Sequence, residues 1–148
     1  MIPNTPLDYS GRIKGAYAPF FRFAIQSSLY MGRPLSQQVA ILLCTYQGET
    51  YVPEQLDSFD AQTYPHWKVW ASDDSPDDAT RRVLADYQSR WAPGRLTVCD
   101  GPRKGFVANF MSLICRPEVQ ADYYSMSDQD DIWHPEKLHV AQRQQGTL

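Results

Sequence analysis

From residue 38 to residue 145, apolar runs of strand length alternate with segments whose apolar residues recur at helical spacing. Val39-Ala-Ile-Leu-Leu-Cys44 is continuously apolar, the pattern of a strand covered on both faces, as in a parallel sheet. Thr45-Tyr-Gln-Gly48-Glu49 then reads as a loop. Pro53 with Glu54 opens a helix that carries Leu56 and Phe59 on one face, and Tyr64-Pro65 closes it. Trp67-Lys-Val-Trp-Ala-Ser72 has the composition of a second strand and runs into Asp73-Asp74. Ser75-Pro76-Asp77-Asp78 predicts a helix start, with Ser75 as cap, Pro76 in the first turn and Asp78 completing a capping box. Val83, Leu84, Tyr87 and Trp91 continue that helix's apolar face. After the Pro93-Gly94 turn come a short strand, Leu96 to Cys99, a polar loop, Asp100 to Gly105, and a helix, Phe106 to Cys115. Tyr123 to Ser127 is a fourth strand, and Pro135-Glu-Lys-Leu begins a last helix.

The order β-α-β-α-β-α-β-α with short connections predicts an α/β fold with right-handed crossovers. Its sheet is mostly parallel, with helices on both faces. The loops at Thr45, Asp73, Asp100 and Asp128 all follow strands, so they gather at the carboxyl edge of the sheet, where such folds bind ligands.

Residues 1–36 differ in character and are read as a basic, aromatic amino-terminal extension to a domain at 37–148. Pro3, Pro6, Gly11, Gly15 and Pro19 punctuate them before Phe20-Phe21-Arg22-Phe23. Residues 20 to 31 suit one short helix, which either packs on its own domain or docks on a membrane surface or a protein partner. The extension carries +3 and the remainder −6, a balance that argues against a nucleic-acid-binding core. Cys44, Cys99 and Cys115 have no metal-ligand spacing, and two of them end strands, which suggests buried, reduced thiols. No run is long enough to span a bilayer and no secretory signal is evident. The expected location is cytoplasmic, with the basic amino terminus allowing attachment to the inner face of the membrane.

The densest chemistry lies in Ser127-Asp128-Gln-Asp130-Asp131-Ile-Trp133, where three carboxylates fall within four positions at a strand's end. In an extended backbone Asp128 and Asp130 share one side. Two hard oxygen donors, with open positions for water and phosphate, suit Mg²⁺ or Mn²⁺. Carboxylates this close repel one another unless a cation lies between them. The rival reading is an acidic surface turn.

Four motifs in order resemble the amino-terminal half of family 2 glycosyltransferases with the Rossmann-like GT-A fold. They are the segment from Val39 through Thr45-Tyr46-Gln-Gly48-Glu49, Ser72-Asp73-Asp74-Ser75, Gly105-Phe-Val-Ala-Asn109-Phe, and Ser127-Asp128-Gln-Asp130-Asp131-Ile-Trp133. The last is similar to the rhamnosyltransferase-type members that assemble bacterial surface polysaccharide. The resemblance implies a nucleotide-diphosphate sugar as donor, a saccharide or lipid-linked acceptor, and inverting transfer. It implies that Thr45 to Glu49 cradle the nucleotide, with Tyr46 against the base. Asp73 or Asp74 would accept the ring N–H of uracil or thymine, Asp128 would lie near the ribose or sugar, and Asp130 would bind the metal. Arg103 and Lys104 either add positive charge at the diphosphate or form a solvated turn, and Asn109 is either a contact or a helix-surface amide. Trp133 is expected in the core, anchoring the acidic loop, and His134 as a helix cap.

Members of this kind continue beyond the metal loop into an acceptor-binding part that supplies the general base. No Asp or Glu follows Glu136 here, so no base is nominated. The missing later strands would leave an exposed sheet edge. Two other readings stand beside the first: a nucleotide-binding or assembly module without turnover, and phosphoryl transfer of the haloacid dehalogenase type, whose nucleophile loop Asp128-Gln-Asp130-Asp131-Ile132 resembles.

Overall fold

The seven residues Val39 to Thr45 are buried without exception, as an apolar strand with helices on either side must be. This strand, β1 (Val39–Thr45), lies within a computed structural model that describes residues 37–145. The extension expected at 1–36, with its short helix and its membrane or partner role, lies outside the described residues. The chain continues through α1 (Val52–Asp60), β2 (Trp67–Asp73), α2 (Ala79–Arg90), β3 (Leu96–Asp100), α3 (Phe106–Ile114), β4 (Tyr123–Asp128) and α4 (Lys137–Gln145).

The four strands pair in parallel in the order β3-β2-β1-β4. The expected α/β architecture is therefore present, and among the described strands the sheet is wholly parallel. The chain first winds outward from β1 to β3, then crosses to the other side of β1 for β4. Keeping one handedness while reversing direction puts the crossover helix α3 on the opposite face from α1 and α2. The alternation along β1 records this. Val39, Ile41 and Leu43 pack with α1, α2 and Leu138 of α4, whereas Ala40, Leu42 and Cys44 pack with Leu113 of α3 and with Val119.

The larger core is aromatic. Phe59, fully buried on α1, meets the ring of Trp133 edge-on at 4.7 Å and that of Trp67 at 6.5 Å. Trp91 closes the far side, 5.3 Å from Trp67 and 5.7 Å from Tyr87. Trp133 is thus in the core, as expected, and fixes the chain just past the acidic run. His134 caps the next turn, its ring Nδ1 accepting the Glu136 N–H at 3.3 Å.

Some boundaries differ from expectation for local reasons. The second helix starts at Ala79 rather than just after Ser75, and Asp78 at its N-cap makes no side-chain capping bond. Ser75 is unavailable as a cap because its hydroxyl donates to Asp73 and accepts the Gln47 N–H. The last helix begins at Lys137, since the Pro135 carbonyl is turned to accept the Thr63 N–H. Cys44 and Cys99 are buried free thiols, as expected, whereas Cys115 is exposed. β4 pairs on one side only among the described strands, and Met126 on it is 61% exposed. No helix among the described residues is long and apolar enough to cross a membrane.

Because Phe59 joins α1 to the chain behind the acidic run, Phe59→Ala is expected to cost about 3–5 kcal/mol of stability in urea unfolding. An exposed-helix control, Arg82→Ala, is expected to stay within about 0.5 kcal/mol of the parent chain.

Candidate functional site

The register sets the strand ends almost level. Thr45 stands opposite Asp73, Asp73 opposite Asp100, and Cys44 opposite Asp128. Neighbouring β1 and β4 are entered from opposite directions, so the loops leaving them diverge and open a crevice. A cavity of about 670 Å³ lies there, within the usual range for small-molecule sites. Thr45 and Tyr46 contribute from β1, Asp74 and Pro76 from the segment after β2, Arg103, Phe106 and Asn109 from the β3–α3 region, and Asp128, Gln129 and Asp130 from β4 and its turn.

The N–H groups of the loop after β1 go to side chains, while the Gly48 carbonyl accepts from the start of α1. Successive N–H groups of Tyr46, Gln47 and Gly48 donate to Gln129 Oε1, Ser75 Oγ and Thr80 Oγ1 at 2.9, 2.8 and 2.8 Å. The Thr80 hydroxyl in turn donates to Glu49 Oε2 at 3.2 Å. Tyr46 itself projects outward, 57% exposed, at the cavity wall. Thr45 turns its hydroxyl to Asp73 Oδ1 at 2.9 Å.

The paired carboxylates Asp73 and Asp74 do different work. Asp73 is buried, and its Oδ1 collects the hydroxyls of Thr45 and Ser75, at 2.9 and 2.6 Å, and the Ser75 N–H at 3.3 Å. It binds the ends of β1 and β2 together and does not line the cavity. Asp74 does line it, with Oδ1 accepting the Arg103 N–H at 2.6 Å. Of the two basic residues in the third loop, Arg103 reaches the cavity wall and Lys104 does not.

Asn109 is buried, so the helix-surface alternative fails. Its amide donates to the Ser72 carbonyl at 3.0 Å and the Thr45 carbonyl at 3.5 Å, beneath the cavity. Its Oδ1 has no hydrogen-bond partner among the described residues.

At the acidic run the backbone is not extended throughout. β4 ends at Asp128 and a turn begins at Gln129, so the same-side argument from alternation does not hold. The turn nevertheless brings both Asp128 and Asp130 to the cavity. The Asp128 carboxyl is pushed above the usual carboxylate range, first by partial burial and then by repulsion from Asp131 and Asp130. A cation beside the pair relieves that repulsion. Among the described residues no group of three or more His, Cys, Asp or Glu is placed to hold a metal ion. Asp128 and Asp130 alone would supply one or two hard oxygen donors, and an ion there would take its other ligands from phosphate and water. Cys44 lies on the same wall. Burial, with Asp128 and Asp74 nearby, pushes its thiol up to about 12.

The turn is anchored from behind. Ser127 Oγ accepts from the buried Gln55 amide at 2.9 Å, the Trp133 N–H reaches Ser58 Oγ at 3.1 Å, and Gln62 bonds to the His134 carbonyl at 2.8 Å. Sequence reasoning had not singled out Gln129, Pro76 or Phe106 among the residues lining the site. Phe106, 74% exposed on a short helix beside the cavity, was the one with a readable signal.

The sequence profile of Glycosyl transferase family 2 matches residues 40–144. The chain is 32% identical over 102 residues to the dTDP-rhamnosyl transferase RfbG of Shigella flexneri, an alignment covering 67% of this chain and 35% of RfbG. It thus spans about a third of the length of that relative. Among solved structures it resembles the Staphylococcus aureus TarS complex with UDP, with a TM-score of 0.57 and 23% identity over 72% of this chain and 31% of TarS. It also resembles the mannosyltransferase PcManGT of Pyrobaculum calidifontis in complex with GDP-Man and Mn²⁺, with a TM-score of 0.61 and 19% identity, covering 84% and 36% of the respective chains. These likenesses establish the GT-A-like fold and remove the haloacid dehalogenase alternative.

Removing the buried Asp73 carboxylate leaves the hydroxyls of Thr45 and Ser75 without their acceptor. Asp73→Ala is expected to lower unfolding stability by about 1–3 kcal/mol. Asp74→Ala removes a single acceptor, that of the part-buried Arg103 N–H, and is expected to lower it by about 1 kcal/mol, less than Asp73→Ala.

Proposed function

The chain belongs to glycosyl transferase family 2, and on that premise we propose that residues 37–145 form the donor-binding part of a metal-dependent transferase acting on a UDP- or dTDP-sugar. The observation that carries this reading is the convergence of Tyr46, Asp74, Asn109, Asp128 and Asp130 on one cavity at the β1/β4 switch point. All but Asn109 offer a contact that one part of such a donor requires.

Tyr46 presents its ring to the base. Asp74 accepts the ring N–H of uracil or thymine, which cytosine lacks at that edge, while Asp73 serves the loop behind it. Asn109 lines the cavity floor, where its amide holds the Ser72 carbonyl at the end of β2. Asp128 accepts a ribose or sugar hydroxyl, and Asp130, with water and phosphate oxygens, holds Mg²⁺ or Mn²⁺. When bound, the ion supplies charge neutralisation for the diphosphate as the anomeric bond breaks. Arg103 adds positive charge from the opposite wall. Thr45 and Glu49 act at one remove, through the hydrogen bonds that shape the loop.

Inverting transfer also needs a base on the face of the sugar opposite the diphosphate. No described residue is assigned that role, and the acceptor, a saccharide or lipid-linked saccharide in polysaccharide synthesis, is proposed for the complete enzyme. A non-catalytic nucleotide-binding module is the second reading, supported by the same cavity and separated from the first by sugar transfer.

Calorimetric titration with UDP and dTDP, with and without Mn²⁺, tests the donor site. Metal-dependent binding is expected in the parent chain. Asp130→Ala is expected to abolish the metal dependence, and Asp74→Ala to weaken binding roughly tenfold or more, the effect of losing one charge-assisted hydrogen bond. A folded chain that binds neither nucleotide would contradict the reading.

A further inference from the structure

Between the two cavity carboxylates lies a residue that the donor-site reading leaves without a role. Gln129 is half-buried, and its side chain turns toward the loop after β1. Its Oε1 accepts the Tyr46 N–H at 2.9 Å, and its Nε2 donates to the Tyr46 carbonyl at 3.2 Å. A primary amide paired at both ends with one residue's backbone copies the exchange of bonds between paired strands. It fixes orientation as well as distance.

Its place in the register gives the pair meaning. The last backbone partners of β1 and β4 are Cys44 and Asp128. Beyond them both strands leave the ladder, and the Gln129 side chain carries the pairing one step further, from the acidic turn to the base-facing loop. The other two ties of that loop, at Gln47 and Gly48, run to Ser75 and Thr80 on the β2 side.

Gly48 is shaped around this amide. A Cβ added there would lie 2.3 Å from Gln129 Oε1 and 2.8 Å from its Cδ, with Val52 Cγ2 at 3.1 Å. Gly48 is not among the glycines in the left-handed region, so the backbone conformation does not require glycine. The requirement comes from the space that Gln129 occupies. Two positions 81 apart in the chain therefore constrain each other directly.

We infer that Gln129 is a positioning residue that locks the loop carrying Tyr46 to the turn carrying Asp128 and Asp130, so that metal binding and nucleotide binding are coupled through its amide. The inference rests on the donor-site reading and adds a route of coupling to the direct one, in which a diphosphate touches both the ion and the loop. An ion that orders the turn orders Tyr46 through two hydrogen bonds, and a base seated on Tyr46 steadies the turn in return.

The test uses the full chain with Gln129→Met, which keeps the bulk and removes both bonds, and with Gly48→Ala, which displaces the amide from the other side. Two readouts are taken: hydrogen exchange at the Tyr46 amide without ligand, and the gain in UDP affinity on adding Mn²⁺. Both variants are expected to speed Tyr46 exchange and to cut the Mn²⁺-dependent gain by roughly tenfold, within the usual range for coupling between sites. Metal-free UDP affinity should fall less than the affinity measured with Mn²⁺, a difference that general destabilisation would not produce. In a Gln129→Ala background, Gly48→Ala should have a smaller effect on Tyr46 exchange than in the parent chain, because the amide is gone and only the Val52 contact remains. Unchanged Tyr46 exchange in Gln129→Met, or an unchanged Mn²⁺ gain with faster exchange, would overturn the inference while leaving the donor site standing. If the parent chain binds no UDP under either condition, the donor-site reading has failed and the coupling falls with it.

Discussion

A strand with no solvent-facing side can present chemistry only at its end, and β1 is such a strand. It is flanked by β2 and β4 and covered above and below by helices. That constraint dictates its apolar composition from Val39 to Cys44, the change to polar residues at Thr45, and the location of the site. The reversal of winding beside β1 adds the second condition, a crevice between diverging loops. Every residue assigned to the donor site lies at the carboxyl end of one of the four strands, in the loop that follows it, or on α3 beneath the cavity.

Loops at such a crevice must be rigid enough to hold ligand groups in place, yet they have left the backbone ladder that would hold them. Here side chains take over. Ser75, Thr80 and Gln129 each receive one backbone N–H of the segment 46–48, and Asp73 receives the hydroxyls of Thr45 and Ser75. Asn109 ties the Ser72 carbonyl from beneath. The polar residues buried at this edge are therefore scaffolding as well as binding groups, and the distinction between Asp73 and Asp74 is one of direction rather than chemistry. One points into the scaffold, the other lines the cavity.

Element order and fold class were legible because period and length are local properties. The run Val39 to Cys44 admits few readings other than a covered strand, and Leu84, Tyr87 and Trp91 fall on one helical face as their spacing requires. Trp133 and His134 also took the roles their types suggest. The helix start at Ser75 was misread because a capping pattern was complete in sequence while its hydroxyl was already committed to Asp73 across the loop. Gln129 carried no signal, since its partner lies 83 positions away in the chain. Nor could Asp73 and Asp74 be told apart, because which of two adjacent carboxylates faces a cavity depends on where the strand ends. Local pattern finds the elements and the loops that meet; only their juxtaposition assigns work to each side chain.

A working donor site requires Asp128 and Asp130 to hold an ion beside a nucleotide. Paramagnetic broadening of backbone amide signals by Mn²⁺, recorded before and after UDP is added, locates both at once. The expected result is broadening centred on residues 128–131 that sharpens its dependence on Mn²⁺ and extends to Tyr46 and Arg103 when UDP is present. Broadening centred on another acidic stretch, such as Asp77-Asp78, or a pattern indifferent to UDP, would contradict it.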